Sequence, residues 1–259
     1  MYNIDIENAQ AAAKILRHRF QSNITTAVIL GSGLSGFMLK VTLIDSVPYT
    51  QLPGFPNVAV KGHNGHFSLV ELTNGTRVIV LEGRFHFYEG YAAQTVTLPV
   101  VVCHLLGVKN LIVSNAAGAV NPNFSIGDLM IITDQINLTG NNPLIGKNNA
   151  EFGSRFVDMS EPFSGELIEL AQLKAKQLGF SPQQGVYLSV SGPTYETKAE
   201  VRAFRSLGAD AIGMSTVYEV IVANYFKMRV LGISCLTNMA TGIAVIKHDH
   251  EHVVAAANA

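Results

Sequence analysis

Apolar residues recur along the 259-residue chain with two different periods, and each period predicts its own kind of element. Residues 7–20 repeat apolar positions at helical spacing, and residues 25–30 (TTAVIL) follow as the short β-branched run of a buried strand. Similar runs predict strands at 41–47, 67–72, 78–81, 110–114, 129–133, 186–190 and 230–237. Helical spacing returns at 94–106, 165–178, 197–207 and 217–226, so the later part of the chain alternates helix and strand as α/β proteins do. The expected fold is a single α/β domain over residues 1–259, with a central mixed, largely parallel β-sheet flanked by helices. Asparagine, glycine and proline crowd residues 140–153 into a long loop, and such a loop in a compact domain is more often functional than idle.

Composition narrows the functional classes. With 48% hydrophobic and 14% charged residues there is ample apolar surface for one core and little pressure toward disorder. Eighteen basic against nineteen acidic residues leave a net charge of −1, which lacks the cationic footprint that nucleic-acid binding requires. Small molecules are the expected partners. Cys103 and Cys235 are far apart and outside any CxxC pair, a pattern that fits a reducing cytoplasm rather than a disulfide framework. The acidic start of the chain does not read as a signal peptide, and its apolar runs fall short of the roughly 20 residues that span a bilayer.

The glycine-rich segment Gly31-Ser32-Gly33-Leu34-Ser35-Gly36 follows a strand and satisfies the G-x-G-x-x-G pattern of dinucleotide-binding folds. The next strand, however, starts at Val41, which leaves no room for the crossover helix of that motif. Two readings survive: a turn whose N–H groups and Ser32 hydroxyl cradle one phosphate, or a plain tight turn. A second cluster, Glu82-Gly83-Arg84-Phe85-His86-Phe87-Tyr88-Glu89-Gly90, puts a guanidinium, an imidazole and a phenol at a strand end. Alternation sends Arg84, His86 and Tyr88 to one side, where one ligand touches all three; alternatively Arg84 pairs with Glu82 or Glu89 on a wet surface. Small residues close the strand at Ser114-Asn115-Ala116-Ala117-Gly118 and let a ligand approach the backbone. Tyr195 and Glu196 sit together in a loop before a helix, where Glu196 either meets a ligand or caps that helix. Gly213-Met214-Ser215-Thr216 and Leu236-Thr237-Asn238-Met239 end two further apolar runs, as ligand-binding segments of α/β sheets do.

Together these segments resemble the trimeric class of purine nucleoside phosphorylases almost end to end. The likeness rests on ILGSGL at 29–34, LPGFP at 52–56, EGRFHFYEG at 82–90, NAAG at 115–118, NPLIG at 142–146, GPTYET at 192–197, EVRAFRSLGADAIGMST at 200–216 and TNMA at 237–240. The resemblance implies phosphorolysis of 6-oxopurine nucleosides such as inosine and guanosine, with inorganic phosphate as co-substrate and neither cofactor nor metal. By that resemblance Ser32, His63, Arg84, His86, Ser215 and the backbone N–H of Ala116 hold phosphate. Tyr88, Met214 and His250 surround the ribose, while Glu196 and Asn238 read the base above the aromatic wall of Tyr195. Asn238, Glu196, His86 and His250 are the implied catalytic residues, and Phe156 reaches into a neighbouring subunit's site, which implies a homotrimer. An amide at position 238 suits a 6-oxo base and an aspartate a 6-amino one. Two alternatives share the fold: a 5′-methylthioadenosine phosphorylase, which Asn238 disfavours, and a non-catalytic nucleoside-binding relative. The chain departs from the family pattern at Tyr218, where proline is common, and at Ala259, beyond which relatives usually continue. The alternating histidines at 248, 250 and 252 do not converge on one face of a helix, so no metal site is expected there.

Overall fold

The computed structural model describes residues 6–57, 64–148 and 152–243. Helix α1 (Ile6–Phe20) buries Ala9, Ala12, Ala13, Leu16 and Phe20 along one stripe. After it come β1 (Thr26–Ile29), a 3₁₀ turn (Ser35–Lys40), β2 (Thr42–Pro48), β3 (His66–Glu71) and β4 (Arg77–Leu81). The tight turn and 3₁₀ segment after β1 confirm that no crossover helix follows the glycines. Then follow α2 (Ala93–Leu105), β5 (Asn110–Ala119), β6 (Leu129–Asn137), α3 (Gly165–Gln177), β7 (Gln183–Ser189), α4 (Lys198–Ser206), β8 (Ala211–Gly213), α5 (Val217–Tyr225) and β9 (Arg229–Met239).

Among the described residues nine strands form one sheet in the order β2-β3-β4-β1-β5-β8-β7-β6-β9, and β9 also pairs with β5. That last pairing closes β5, β8, β7, β6 and β9 into a ring, with β1 to β4 extending from it as an open flap. The sheet is mixed as expected: β1–β4, β1–β5, β5–β9, β6–β7 and β7–β8 are parallel, and β2–β3, β3–β4, β5–β8 and β6–β9 antiparallel. Helices α2 and α5 are buried nearly all round and join α1 in the main core cluster with Leu111, Val113 and Leu236. α4 packs over the ring through Val201 against Leu188 and Ile212.

Two strands run well past the ends that hydrophobicity predicts, and a third lies where it predicts none. β5 continues through Asn115–Ala119 because these small residues pair with β9 on one side and β8 on the other. β6 continues through polar Asp134–Asn137 because its ladder with β7 carries on to Asn137 opposite Ser189. β8, only three residues long, lies in a segment read from sequence as a short apolar stretch rather than as a strand.

The junction of β1 with β5 is tight. A Cβ placed on Gly31 would lie 2.6 Å from Asn115 Cα and 2.7 Å from the Ser114 carbonyl oxygen, so only glycine lets the chain turn off β1 here. The Gly31 N–H donates to Ser114 Oγ at 3.2 Å, and that hydroxyl donates to the Ile29 carbonyl at 2.9 Å. Gly31→Ala therefore forces backbone apart from backbone, and we expect a loss of about 3 kcal/mol in urea unfolding, the upper range for overpacking. An unchanged unfolding midpoint would contradict this packing account.

Candidate active site

A cavity of about 380 Å³ opens where β1, β4, β5, β7, β8 and β9 end. Its lining includes Ser32, Arg84, His86, Tyr88, Ala116, Tyr195, Glu196, Met214, Ser215 and Asn238, ten of the residues that the sequence singles out. His63 and His250 lie outside the described residues, as do the other C-terminal histidines. Phe156 is 86% exposed and lines a separate cavity of about 470 Å³ with Arg155, Leu144 and Ile221.

The glycine loop forms one wall. Leu34 N–H donates to the Gly31 carbonyl at 3.1 Å, closing a β-turn in which Gly33 takes φ +76°, a conformation that glycine adopts without strain. Ser32 is thereby held at the turn's crest, on the cavity.

Arg84 and His86 leave β4 on the same side, as alternation predicts, and Tyr88 stacks on His86 with ring centroids 4.7 Å apart. Arg84 is not a surface residue paired within its own segment. It is 3% exposed and ion-paired through Nε with Glu219 Oε1 at 2.9 Å, while its Nη1 donates to Ser215 Oγ at 3.4 Å. Glu82 is instead engaged by Ser68 and by Asn64, and Glu89 Oε2 accepts from the His86 backbone N–H at 2.7 Å. Glu89 Oε2 also lies 3.3 Å from His86 Nδ1. Burial lowers the His86 pKa from the usual 6.5, outweighing the attraction of Glu89. Burial likewise pushes the Tyr88 phenol up to about 12, so it stays protonated.

Opposite lies the start of α5. Thr216 takes φ +74° and ψ −51°, and Val217 N–H donates to the Ser215 carbonyl at 2.8 Å, which makes a positive-φ γ-turn on a β-branched residue. The surroundings enforce that strain: Thr216 is fully buried and its hydroxyl accepts from Asn115 Nδ2 at 2.9 Å. The turn presents Ser215 to the cavity. Tyr218, where the family pattern has proline, donates from its hydroxyl to Thr139 at 2.8 Å and meets Phe87 edge-on, and α5 still begins at Val217.

A further wall of the cavity carries Glu196 and Asn238. Thr197 and Glu200 cap α4 reciprocally, so Glu196 is not the cap and faces the cavity, where burial raises its pKa. Asn238 Oδ1 accepts from the Thr237 hydroxyl at 3.1 Å, and its Nδ2 donates to the Met239 carbonyl at 3.4 Å. A Cβ on Gly118 would come within 3.0 Å of that nitrogen, so the glycine of NAAG leaves the amide its space. Sequence reasoning misses Glu219 and names Asn115, Thr216 and Thr237 only within motifs, without their supporting roles: a glutamate in a helix's first turn reads as a partner for the helix dipole, and a strained turn has no sequence mark. Among the described residues no group of three or more His, Cys, Asp or Glu side chains could hold a metal ion, and no helix is long and apolar enough to cross a membrane.

The chain that builds this pocket is similar to known proteins along nearly its whole length. Residues 25–259 match the Phosphorylase superfamily. Purine nucleoside phosphorylase 1 of Bacillus subtilis is 49% identical over 248 residues, covering 96% of this chain and 91% of the relative. The purine nucleoside phosphorylase of Bos taurus is 46% identical over 237 residues, covering 90% and 82%. A Schistosoma mansoni purine nucleoside phosphorylase in complex with adenosine superposes with TM-score 0.90 at 38% identity, covering 98% of this chain and 92% of that one. The chain belongs to the Phosphorylase superfamily, among its purine nucleoside phosphorylases, which are phosphate-dependent pentosyltransferases.

The lowered His86 pKa has a measurable consequence. Folding favours the neutral ring, so its contribution to stability is present above the unfolded-state value of about 6.5 and is lost as pH falls through the lower folded value. Between pH 7.5 and 5.5 the native protein should lose more stability than His86→Gln, by at most about 1.4 kcal/mol per pH unit for one proton. Parallel stability curves from denaturant titrations would rule out a neutral buried His86.

Proposed function

We propose that this chain cleaves the glycosidic bond of 6-oxopurine nucleosides, inosine and guanosine or their 2′-deoxy forms, with inorganic phosphate, releasing free base and (deoxy)ribose 1-phosphate for purine salvage. Asn238 carries the choice of base. Its side chain lines the cavity, where the amide donates to N7 and supports a 6-oxo group. Glu196 accepts from the N1 and N2 side, and Tyr195 lies under the base. Those donor contacts offset the desolvation that holds the Glu196 carboxyl above its usual pKa.

At the other end, Ser32, Arg84, Ser215 and the Ala116 N–H set phosphate beneath C1′, joined by His63; Tyr88, Met214 and His250 frame the ribose. His86 adds a neutral imidazole rather than a second cation. As the C1′–N9 bond breaks, the sugar takes on oxocarbenium character between two stabilised charges: phosphate below, and the purine anion held at N7 and N1. The entering oxygen of hydrogen phosphate forms the new bond to C1′, and the base leaves with the bonding pair and takes up, in balance, the proton that the phosphate loses. Phosphate is itself the nucleophile, so the step requires no metal or organic cofactor.

The exposed Phe156 supports a homotrimer in which this ring completes a neighbour's ribose site, and the two free cysteines fit a cytoplasmic location. Phe156→Ala should then raise the nucleoside KM tenfold or more while leaving the phosphate KM near its native value. Equal changes in both would remove the ring from the nucleoside site.

Purified protein given inosine should release hypoxanthine in phosphate buffer and none in phosphate-free buffer; release in both would make it a hydrolase. Asn238→Asp should lower kcat/KM for inosine by at least a hundredfold and raise it for adenosine, because a carboxyl group meets a 6-amino base better. Retained inosine preference would overturn the role given to Asn238, and faster turnover of 5′-methylthioadenosine than of inosine by the native protein would favour the alternative substrate.

A further inference from the structure

Arg84 and His86, side by side on the cavity wall, each meet a carboxylate. His86 has Glu89, its neighbour in the same segment, whereas Arg84 has Glu219, delivered from a helix far along the chain. Both members of the second pair are buried, with side chains 4% and 3% exposed. Neither oxygen of Glu219 has a hydrogen-bond partner among the described residues, so its contact is with the charge of the guanidinium. A carboxylate buried on those terms is costly to keep unless the pairing has a use.

The geometry shows that use. Arg84 is gripped on two edges by one short segment: Glu219 meets Nε at 2.9 Å, and Ser215 Oγ accepts from Nη1 at 3.4 Å. Residues 215–219 are fixed in turn by the γ-turn at Thr216 and its bond from Asn115. Held at Nε by Glu219 and at Nη1 by Ser215, the planar guanidinium has one orientation left on the cavity wall. We infer that Glu219 is a positioning residue for the phosphate reaction, acting through its ion pair with Arg84. This rests on the phosphate role proposed above.

Two effects oppose each other when Glu219 loses its charge. The carboxylate repels phosphate, so its loss favours the anion; it also aims the guanidinium, so its loss disfavours it. Aim outweighs repulsion, because the repulsion acts across the guanidinium's own positive charge whereas two-pronged anion recognition depends on the plane of the fork. An arginine freed of Glu219 stays charged and turns toward the other buried carboxylates of its segment, Glu82 and Glu89.

The test compares Glu219→Gln, which keeps shape and loses charge, with Glu219→Asp, which keeps charge. For Gln the phosphate KM should rise about tenfold with the inosine KM within twofold of native, and Asp should recover part of the loss. The rise in Tm on adding inorganic phosphate, measured without nucleoside, should shrink in Gln and return in part in Asp; this comparison holds even if the variants are less stable. An unchanged or lower phosphate KM in Gln, an equal rise in both KM values, or no recovery in Asp would overturn the inference. A native protein that phosphate fails to stabilise would instead bring down the underlying phosphate reading, and this inference with it.

Discussion

A guanidinium cannot shed its charge, and the chain buries one at the end of β4. That constraint organises the site. Arg84 needs a carboxylate, supplied by α5; α5 must therefore start at a fixed place, which the strained Thr216 turn secures; and the turn is held by Asn115 from β5. The β5 backbone in turn approaches Gly31 so closely that no side chain fits between them. The glycine loop, the NAAG segment and the Met214-Ser215 segment are thus one mechanical unit, although some 180 residues of chain lie between its ends.

The sheet explains how these segments meet. Strand ends converge because β5 pairs with β1, β8 and β9 along its length, so the flap and the ring share one long strand. Loops that follow parallel strands emerge on the same side, and there the chain places its polar and glycine-rich motifs. The interior behind them is apolar, which confines the charge to the cavity wall and makes every hydrogen bond there stronger than it would be in water.

Much of this could be read from sequence, and the reasons are local. β1 and α1 show clean periods, and Arg84 and His86 share a side as extended backbone requires, whereas Tyr88 reaches the cavity from a 3₁₀ turn (Phe87–Glu89). Motif likeness located ten residues that line the cavity. Hidden from sequence were pairings at long range: closure of the ring by β5 and β9, the three-residue β8, and Glu219 opposite Arg84. Near-sequence reasoning offered Glu82 and Glu89 to the arginine because they are adjacent, but both carboxylates have other bonds to accept. The polar half of β6 was missed because backbone ladders, not hydrophobicity, carry that strand to its end.

The central claim is that phosphate, held by the Arg84 side of the cavity, attacks the sugar carbon itself. Phosphorus NMR of the protein turning over inosine in phosphate buffer tests it most directly. A ribose 1-phosphate resonance that grows mole for mole with hypoxanthine is the predicted result; free ribose with the phosphate signal undiminished would contradict it.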